Sequence, residues 1–134
     1  MEMNAQSWTS IRARVEGHGA EWRPMLRLLD WIREERLEEE VFGHTSMFDV
    51  IFTDRPRYRN GENTLRVSWN PQEKKMRFCY DRLYASTDRT IKEVSAEDSI
   101  ETLREFLAYK LGVYRKKESN QSSTDNSGAS PLRV

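Results

Sequence analysis

The side chains that could act as nucleophile or base in this sequence are few: His18, His44, Ser46 and the single cysteine, Cys79. A nucleophilic site needs a base within hydrogen-bond reach of the nucleophile and a third group that orients the base. The spacing of His44, Ser46 and Cys79 does not require such a meeting. The two histidines also form no His-Glu-x-x-His metal pattern. We therefore expect no catalytic residue, no metal site and no enzyme activity.

Cofactor motifs are equally weak. The stretch Gly17-His18-Gly19 lacks the third glycine and the preceding strand of a dinucleotide-binding loop, so no cofactor is expected. Cys79 alternates with Phe78 and Tyr80, which predicts a small packed residue beside Arg77 on the polar face of a strand. One cysteine also excludes an internal disulfide.

An acidic run gives the first candidate for binding. Glu34 and Glu38 follow Asp30 at four-residue spacing, and like charges at that spacing destabilise a helix by a few tenths of a kcal/mol per pair. An offsetting basic surface is therefore expected, either within the chain, on the arginines between positions 55 and 59, or on a partner. Trp31 lies opposite the apolar stripe of the same predicted helix, a position typical of an interface anchor or of a contact with the first helix or the tail.

The predicted partner surface combines this acidic helix with the polar face of the sheet. On the last helix, Tyr109 also lies outside the apolar stripe, as Trp31 does on the second helix. Its residues are Trp31, Glu34, Glu35, Glu38, Arg66 and Arg77. The partner is expected to be another protein or a second copy of this chain, because a net charge of +0 removes the self-repulsion that keeps many proteins monomeric.

A basic segment from 55 to 77 supports the alternative, a nucleic-acid-binding module. Arginines alternate around Pro56 and Tyr58, and an extended row of this kind can point its guanidinium groups to one side, towards phosphates. The candidate residues are Arg55, Arg57, Arg59, Lys74 and Lys75. The order helix, three strands, helix is similar to that of the double-stranded RNA-binding domain. That family begins its last helix with lysines, whereas residues 95–101 are acidic here and would repel a phosphate backbone, so nucleic acid is the less favoured partner.

The elements that must position these residues follow from hydrophobic periodicity. Helical spacing predicts helices over about 5–16, 22–40 and 96–112, with Ser95 as the last N-cap and Gly112 as its stop. Gly43 is expected to end the second helix.

Between the second and third helices the period changes to two. Three segments alternate apolar and polar residues, with inward positions Phe48, Val50 and Phe52, then Leu65, Val67 and Trp69, then Met76, Phe78 and Tyr80. Residues 70–74 predict a hairpin loop, Asn60-Gly61 a tight turn, and 90–94 a short fourth strand. We predict an α+β fold of two layers, with an antiparallel sheet of three to four strands covered on one face by N-terminal and C-terminal helices.

Composition sets the domain boundaries. A chain of 134 residues is long enough for one domain, which we place at 1–117, and the polar segment 118–134 is expected to be a disordered tail. Residues 1–53 hold six Lys/Arg and ten Asp/Glu, whereas residues 54–82 hold eight and four. No apolar run is long enough for a secretory signal or a membrane span, so no membrane contact and a cytoplasmic location are expected. The functional hypothesis is a small protein-interaction domain of adaptor, immunity or chaperone type without catalysis.

Overall fold

The structure, a computed structural model, describes residues 2–59, 62–82 and 88–114. Its helices are α1 (Trp8–Glu16), α2 (Arg23–Glu34) and α3 (Ser99–Phe106). A 3-10 turn, Ala20–Trp22, precedes α2; a second, Ala96–Asp98, precedes α3, and a π-helical segment, Leu107–Leu111, continues α3. The predicted tail 118–134 and the predicted Asn60-Gly61 turn lie outside the described residues.

The strands form a main sheet and a small ribbon. In chain order they are β1 (Glu2–Asn4), β2 (Phe42–Ser46), β3 (Asp49–Thr53), β4 (Arg57–Arg59), β5 (Thr64–Asn70), β6 (Lys75–Arg82) and β7 (Asp88–Ser95). The main sheet has the order β2-β3-β5-β6-β7 and is antiparallel throughout. The ribbon pairs β1 with β4, also antiparallel. The α+β class and the antiparallel sheet are confirmed, but the predicted number of three to four strands was too low.

The helices pack on one face of the main sheet because the inward residues of its strands are apolar. Val50, Phe52, Val67 and Phe78 are buried in a single core together with the apolar stripes of all three helices. The rings of Phe78 and Phe106 stack at 5.7 Å and join the sheet to α3. Burying such side chains stabilises a fold by roughly 1.5–3 kcal/mol each. The contact between the helix layer and the sheet therefore forms the main core.

Strand β2 was missed in the sequence because its inward positions are not apolar. They are Gly43 and Thr45, which lie opposite Phe52 and Val50 in the register. A Cβ atom on Gly43 would approach the Trp8 ring to 2.7 Å and the Ile11 side chain to 2.8 Å. Gly43 is therefore a packing residue that lets α1 approach the sheet, and the prediction that it ends the second helix was wrong.

The second helix is shorter than predicted. It ends at Glu34, and Arg36 adopts a left-handed conformation with φ of 58°, which a helix does not continue. Leu37 is buried after this turn, and Glu38, Glu39 and Glu40 lie on the exposed turn that follows. The three glutamates therefore do not stand on the helix, so the expected four-residue repulsion involving Glu38 does not arise.

The last helix and the hairpin loop follow the prediction closely. Ser95 stands at the N-cap position of the 3-10 turn that leads into α3, although its side chain makes no capping hydrogen bond there. Gly112 ends the helical segment at φ of 76°, and the amide of Val113 donates to the Leu107 carbonyl. In the loop between β5 and β6, the side-chain oxygen of Asn70 accepts hydrogen bonds from the two amides of Gln72 and Glu73. The predicted fourth strand over 90–94 is present as β7 and is longer, because all eight of its residues pair with β6.

The outer face of the sheet, opposite the helices, is partly covered by the β1–β4 ribbon. The fully buried ring of Tyr58 in β4 lies 6.3 Å from the ring of His44. His44 and Ile51 are opposed in the β2–β3 register, and Ile51 is buried although it faces away from the helices. Ile51 was predicted on the polar face, and the ribbon explains why an apolar residue stands there.

Candidate functional site

The residues considered for nucleophilic chemistry do not meet. His44 and Cys79 belong to one row across the outer face, but Ile51 and Arg66 stand between them. Three strand spacings of about 4.8 Å place them roughly 14 Å apart. The Cys79 thiol instead faces the Asp81 carboxylate at 3.9 Å, and Cys79 and Asp81 together raise the pKa of the Arg89 guanidinium. Imidazole and thiol cannot share a proton at this separation.

The clefts of the described surface differ in their lining, and several carry charged side chains. One of about 390 Å³ lies at the end of the sheet where β5 begins, and its walls carry charges of both signs: Asp54, Arg55, Glu62, Asn63, Arg82, Lys110 and Leu111. Small-molecule sites are usually enclosed and mostly apolar. Within the described residues, no group of three or more His, Cys, Asp or Glu side chains could hold a metal ion.

The acidic helix surface is partly used inside the chain. Trp31 is half-buried and packs against Tyr114 with ring centroids 5.5 Å apart. The hydroxyl of Tyr114 donates to Glu35 at 2.9 Å. Burial raises the pKa of Tyr114, and the hydrogen bond to Glu35 adds to the shift. Asp30 binds Arg12 at 2.9 Å, while Glu34 and Glu38 are exposed. Trp31 and Glu35 thus hold Tyr114, which follows the helical segment after α3.

The two arginines predicted on the outer face differ in environment. Arg66 is half-buried and pairs with Asp49 at 2.5 Å, while Arg77 is exposed opposite Glu93 in the register. The pair Arg66–Asp49 joins β5 to β3 across the sheet. Of the two, Arg77 is the one whose side chain is exposed to a partner.

The basic segment is split by the fold. Arg57 and Arg59 are exposed on either side of buried Tyr58, so this part of the predicted row does point to one side. Arg55 pairs with neighbouring Asp54 at 3.0 Å, not with the acidic turn. Lys74 and Lys75 lie at the far end of β5, roughly 20 Å from its start near Arg55. The five cations therefore do not form one patch.

The tip of the β2–β3 hairpin carries an apolar surface that the sequence did not suggest. The register ends at Ser46 opposite Asp49, which leaves Met47 and Phe48 as the two turn residues. Met47 is 79% exposed and Phe48 55% exposed. The prediction that Phe48 faces the core was therefore wrong: pairing of Ser46 with Asp49 begins β3 one residue later than the alternation indicated.

Met47 holds a backbone conformation that its side chain disfavours. Its φ is 56°, in the left-handed region where glycine and asparagine are usual in two-residue hairpins. Such conformations cluster at functional sites, where the surrounding structure enforces them. Five paired residues in each strand hold this turn in place. A turn signal of Gly or Asn would have located the hairpin in the sequence, but no such residue is present between 44 and 49.

The hairpin tip rests on a small aromatic cluster. The ring of Phe48 lies 4.7 Å from that of His18 and stacks 5.7 Å from that of Trp22. Trp22 is itself buried at the start of α2. The cluster holds the tip in one position, so Met47 and Phe48 form a preorganised apolar projection. We call Met47, Phe48 and His18 the tip surface.

The two edge strands of the main sheet, β2 and β7, differ in how their outer edges are covered. The edge of β2 is closed: the amide of Gln6 donates to Gly43, and the Gln6 side chain accepts from the Thr45 amide and hydroxyl at 3.0 and 2.9 Å. At the other edge, no strand among residues 2–59, 62–82 and 88–114 pairs with the outer side of β7. Ile91 is 49% exposed on that strand. A shallow groove of about 210 Å³ lies between β7 and the α3 end, beside Tyr109, which is 71% exposed.

Comparison of the chain with protein-family models, with curated proteins and with solved structures gave no significant match. Among the described helices, none combines the length and the apolar character required to cross a bilayer.

Proposed function

We propose that this chain is a small protein-interaction domain of adaptor, immunity or chaperone type that binds a protein partner through the tip surface and catalyses no reaction. The observation that carries the proposal is the exposure of Met47 and Phe48 on a turn where an apolar residue with positive φ costs stability. Packing within the chain accounts for Phe48, whose ring stacks on Trp22, but Met47 is 79% exposed. Contact with an apolar pocket of a partner accounts for an apolar residue at position 47.

The energetics of the tip suit an interface anchor. Transfer of a Phe or Met side chain from water into a packed pocket is worth roughly 1.5–3 kcal/mol when burial is complete. Phe48 is already ordered by Trp22 and His18, so little conformational entropy is lost on binding. The large distance between His44 and Cys79 and the open, charged cleft at the start of β5 support the absence of catalysis.

The test compares two exposed apolar positions. The double variant Met47→Ser, Phe48→Ser removes the exposed apolar side chains of the tip surface. Tyr109→Ser is the matched control, because it removes an exposed aromatic ring elsewhere on the chain. Proteins retained by the immobilised wild-type chain are identified, purified and measured by calorimetry. We expect the same partner to bind the wild type and the control, and to bind the tip variant at least about tenfold more weakly. Equal affinity of all three chains would refute the proposal.

The acidic surface predicted from the sequence remains a second partner surface to be tested. Its exposed members are Glu34 and Glu38. Trp31→Ala is unsuitable as a probe because Trp31 packs against Tyr114. The double variant Glu34→Lys, Glu38→Lys leaves the contact between Trp31 and Tyr114 intact. A partner that recognises the acidic surface would bind this Glu→Lys variant more weakly and would still bind the tip variant.

Nucleic-acid binding remains the alternative, and the exposure of Arg57 and Arg59 on one side of β4 favours it. It predicts a retarded RNA or DNA band that weakens as salt rises, and that weakens further in the Arg57→Ala, Arg59→Ala variant. Lys74→Ala with Lys75→Ala is the matched control at the far end of β5. No retarded band at low salt would exclude this alternative.

A further inference from the structure

The open edge of β7 has the features of a strand that pairs with another strand. All eight residues, Asp88–Ser95, are in regular register with β6, and the strand contains no proline and no break in pairing. Edge strands are usually short, bulged or covered, because a long regular edge offers unsatisfied amides and carbonyls to any extended chain. An eight-residue edge exceeds the usual strand length of about five to six residues.

The side chains on the outer face of β7 are self-complementary. In sequence order they are Arg89, Ile91 and Glu93, since these oppose Asp81, Cys79 and Arg77 in the register. An apolar residue thus stands between a cation and an anion at equal spacing. We infer that β7 pairs antiparallel with β7 of a second copy of this chain, with Ile91 on the two-fold axis and Arg89 of each copy opposite Glu93 of the other.

Symmetry selects this register. A two-fold axis perpendicular to the sheet keeps the outer faces of both copies on one side, and one residue of β7 then lies opposite itself. With Lys92 on the axis two ammonium groups meet, and with Glu93 on the axis two carboxylates meet, both of which are unfavourable. A shift to Thr90 shortens the overlap of the strands. With Ile91 on the axis, two half-exposed isoleucines bury each other and two ion pairs form.

The helix side of the pair gains contact as well. The groove between β7 and the α3 end lies on the inner side of this edge, with Tyr109 on its rim. Pairing through Ile91 brings the grooves of the two copies together, so each Tyr109 ring faces the other copy's β7. The two five-stranded sheets become one continuous sheet, and the net charge of +0 leaves no long-range repulsion against association.

Charge exchange tests the register in the full chain. Sedimentation equilibrium of the wild type is expected to show a monomer–dimer equilibrium. Arg89→Glu places carboxylates opposite each other twice and is expected to weaken the dimer at least about tenfold, as is Glu93→Arg. The double variant Arg89→Glu, Glu93→Arg restores the pairs between copies and the dimer. Within each chain it disturbs the charge pairs with Asp81 and Arg77 as the single variants do, so the recovered dimer reports on the contact between copies. Arg27→Glu, an exposed charge on α2, is the matched control and leaves the dimer unchanged.

Crosslinking tests the axis independently. In a Cys79→Ser background, Ile91→Cys is expected to form a disulfide between copies under mild oxidation, since opposed Cβ atoms of antiparallel strands lie about 4.5–5.5 Å apart. Lys92→Cys forms far less. A monomeric wild type, a dimer that ignores both charge changes, or equal crosslinking at 91 and 92 would overturn the inference. The tip variant Met47→Ser, Phe48→Ser is expected to dimerise like the wild type. Failure of the proposed partner binding at the tip can therefore be distinguished from failure of the proposed pairing of β7.

Discussion

The two edges of the main sheet satisfy their backbone groups in different ways. At β2 the chain closes its own edge: Gln6 bonds to Gly43 and Thr45, and the neighbouring Trp8 ring packs over Gly43. At β7 the described residues provide no such cover, and the strand is longer and regular. The closed edge ends in the apolar tip surface, and the open edge carries the alternating charges of Arg89 and Glu93.

The two edges differ in the kind of contact that another chain can make with them. A closed edge cannot accept another strand, so the recognition proposed there depends on the exposed side chains of Met47 and Phe48. An open edge offers backbone hydrogen bonds to an added strand, and side-chain charge sets the register. The two proposed surfaces lie at different edges of the sheet, so binding of a partner at one and pairing of copies at the other would not compete.

The largest effect is expected from filling the space at the closed edge. Gly43→Ala places a Cβ atom 2.7 Å from the Trp8 ring and forces α1 away from β2. We expect a loss of about 2–3 kcal/mol in the free energy of unfolding, measured with urea. Gly17→Ala is the control, because its Cβ meets ordinary contacts at 3.4 Å. Similar losses in both variants would contradict the packing role of Gly43.

A smaller effect is expected from opening the closed edge. Gln6→Ala removes the acceptor of the Thr45 amide and hydroxyl, so a largely buried donor loses its partner. The expected loss is about 1–2 kcal/mol, with faster hydrogen exchange at the Thr45 amide. Gln72→Ala in the exposed hairpin loop is the control and changes neither quantity. An unchanged exchange rate in Gln6→Ala would show that Gln6 does not close this edge.

The ribbon beside the closed edge gives a pH-dependent prediction. Among the described residues the buried Tyr58 hydroxyl has no hydrogen-bond partner, and burial raises its pKa. Tyr58→Phe is expected to gain about 1 kcal/mol near neutral pH. Above a pH of about 10 the folded wild type holds a proton that the unfolded chain loses, so its stability falls as the pH rises.

Thermal melts from neutral to alkaline pH test this sign. The Tyr58→Phe variant is expected to lose less stability than the wild type above a pH of about 10, with a residual loss from Tyr114, whose pKa is also raised. Tyr109→Phe, with an exposed ring, is the control and follows the wild type. A Tyr58→Phe variant that melts like the wild type at every pH would contradict the assigned burial cost.

The tip surface is expected to gain stability when its strain is relieved. Met47→Gly removes the cost of a left-handed methionine, of about 1–2 kcal/mol, but adds freedom to the unfolded chain, so the expected net gain is about 0.5 kcal/mol. Partner affinity falls at the same time. Lys74→Gly, at φ of 57° in the other hairpin, is the control: it gains similar stability without a loss of affinity. If the Met47→Gly variant bound the partner with unchanged affinity, Met47 would not be part of the proposed interface.

The smallest effect is expected at the open edge. Lys92→Ala removes an exposed contact with Glu105 at 3.8 Å, and exposed ion pairs contribute about 0–1 kcal/mol. We expect a change below about 0.5 kcal/mol in urea unfolding, insensitive to salt, and Glu105→Ala behaves alike. If Lys92→Ala lowered the free energy of unfolding as much as Gln6→Ala does, the side chains at the two edges would not differ in their contribution to stability.

Part of this architecture could be read from local patterns. The alternation in β5 and β6, the helical stripe ending at Gly112 and the Asn70 loop each depend on residues close in sequence, and all were predicted. Strand β2 could not be, because its inward positions are Gly43, which gives room to a tryptophan more than thirty residues away, and Thr45, which bonds to the distant Gln6. The tip surface was hidden for a related reason: only the pairing of Ser46 with Asp49 turns Phe48 outward.

The sequence by itself determined the fold class, because the change in period from 3.6 to 2 and back is a local property of the chain. Tertiary structure decided which apolar residues remain in water and which polar ones acquire partners. Trp31 became an internal contact, and Met47, Phe48 and Ile91 became surface. The physical reason is that burial and pairing depend on which distant segments meet, and these contacts form only when the whole chain is folded.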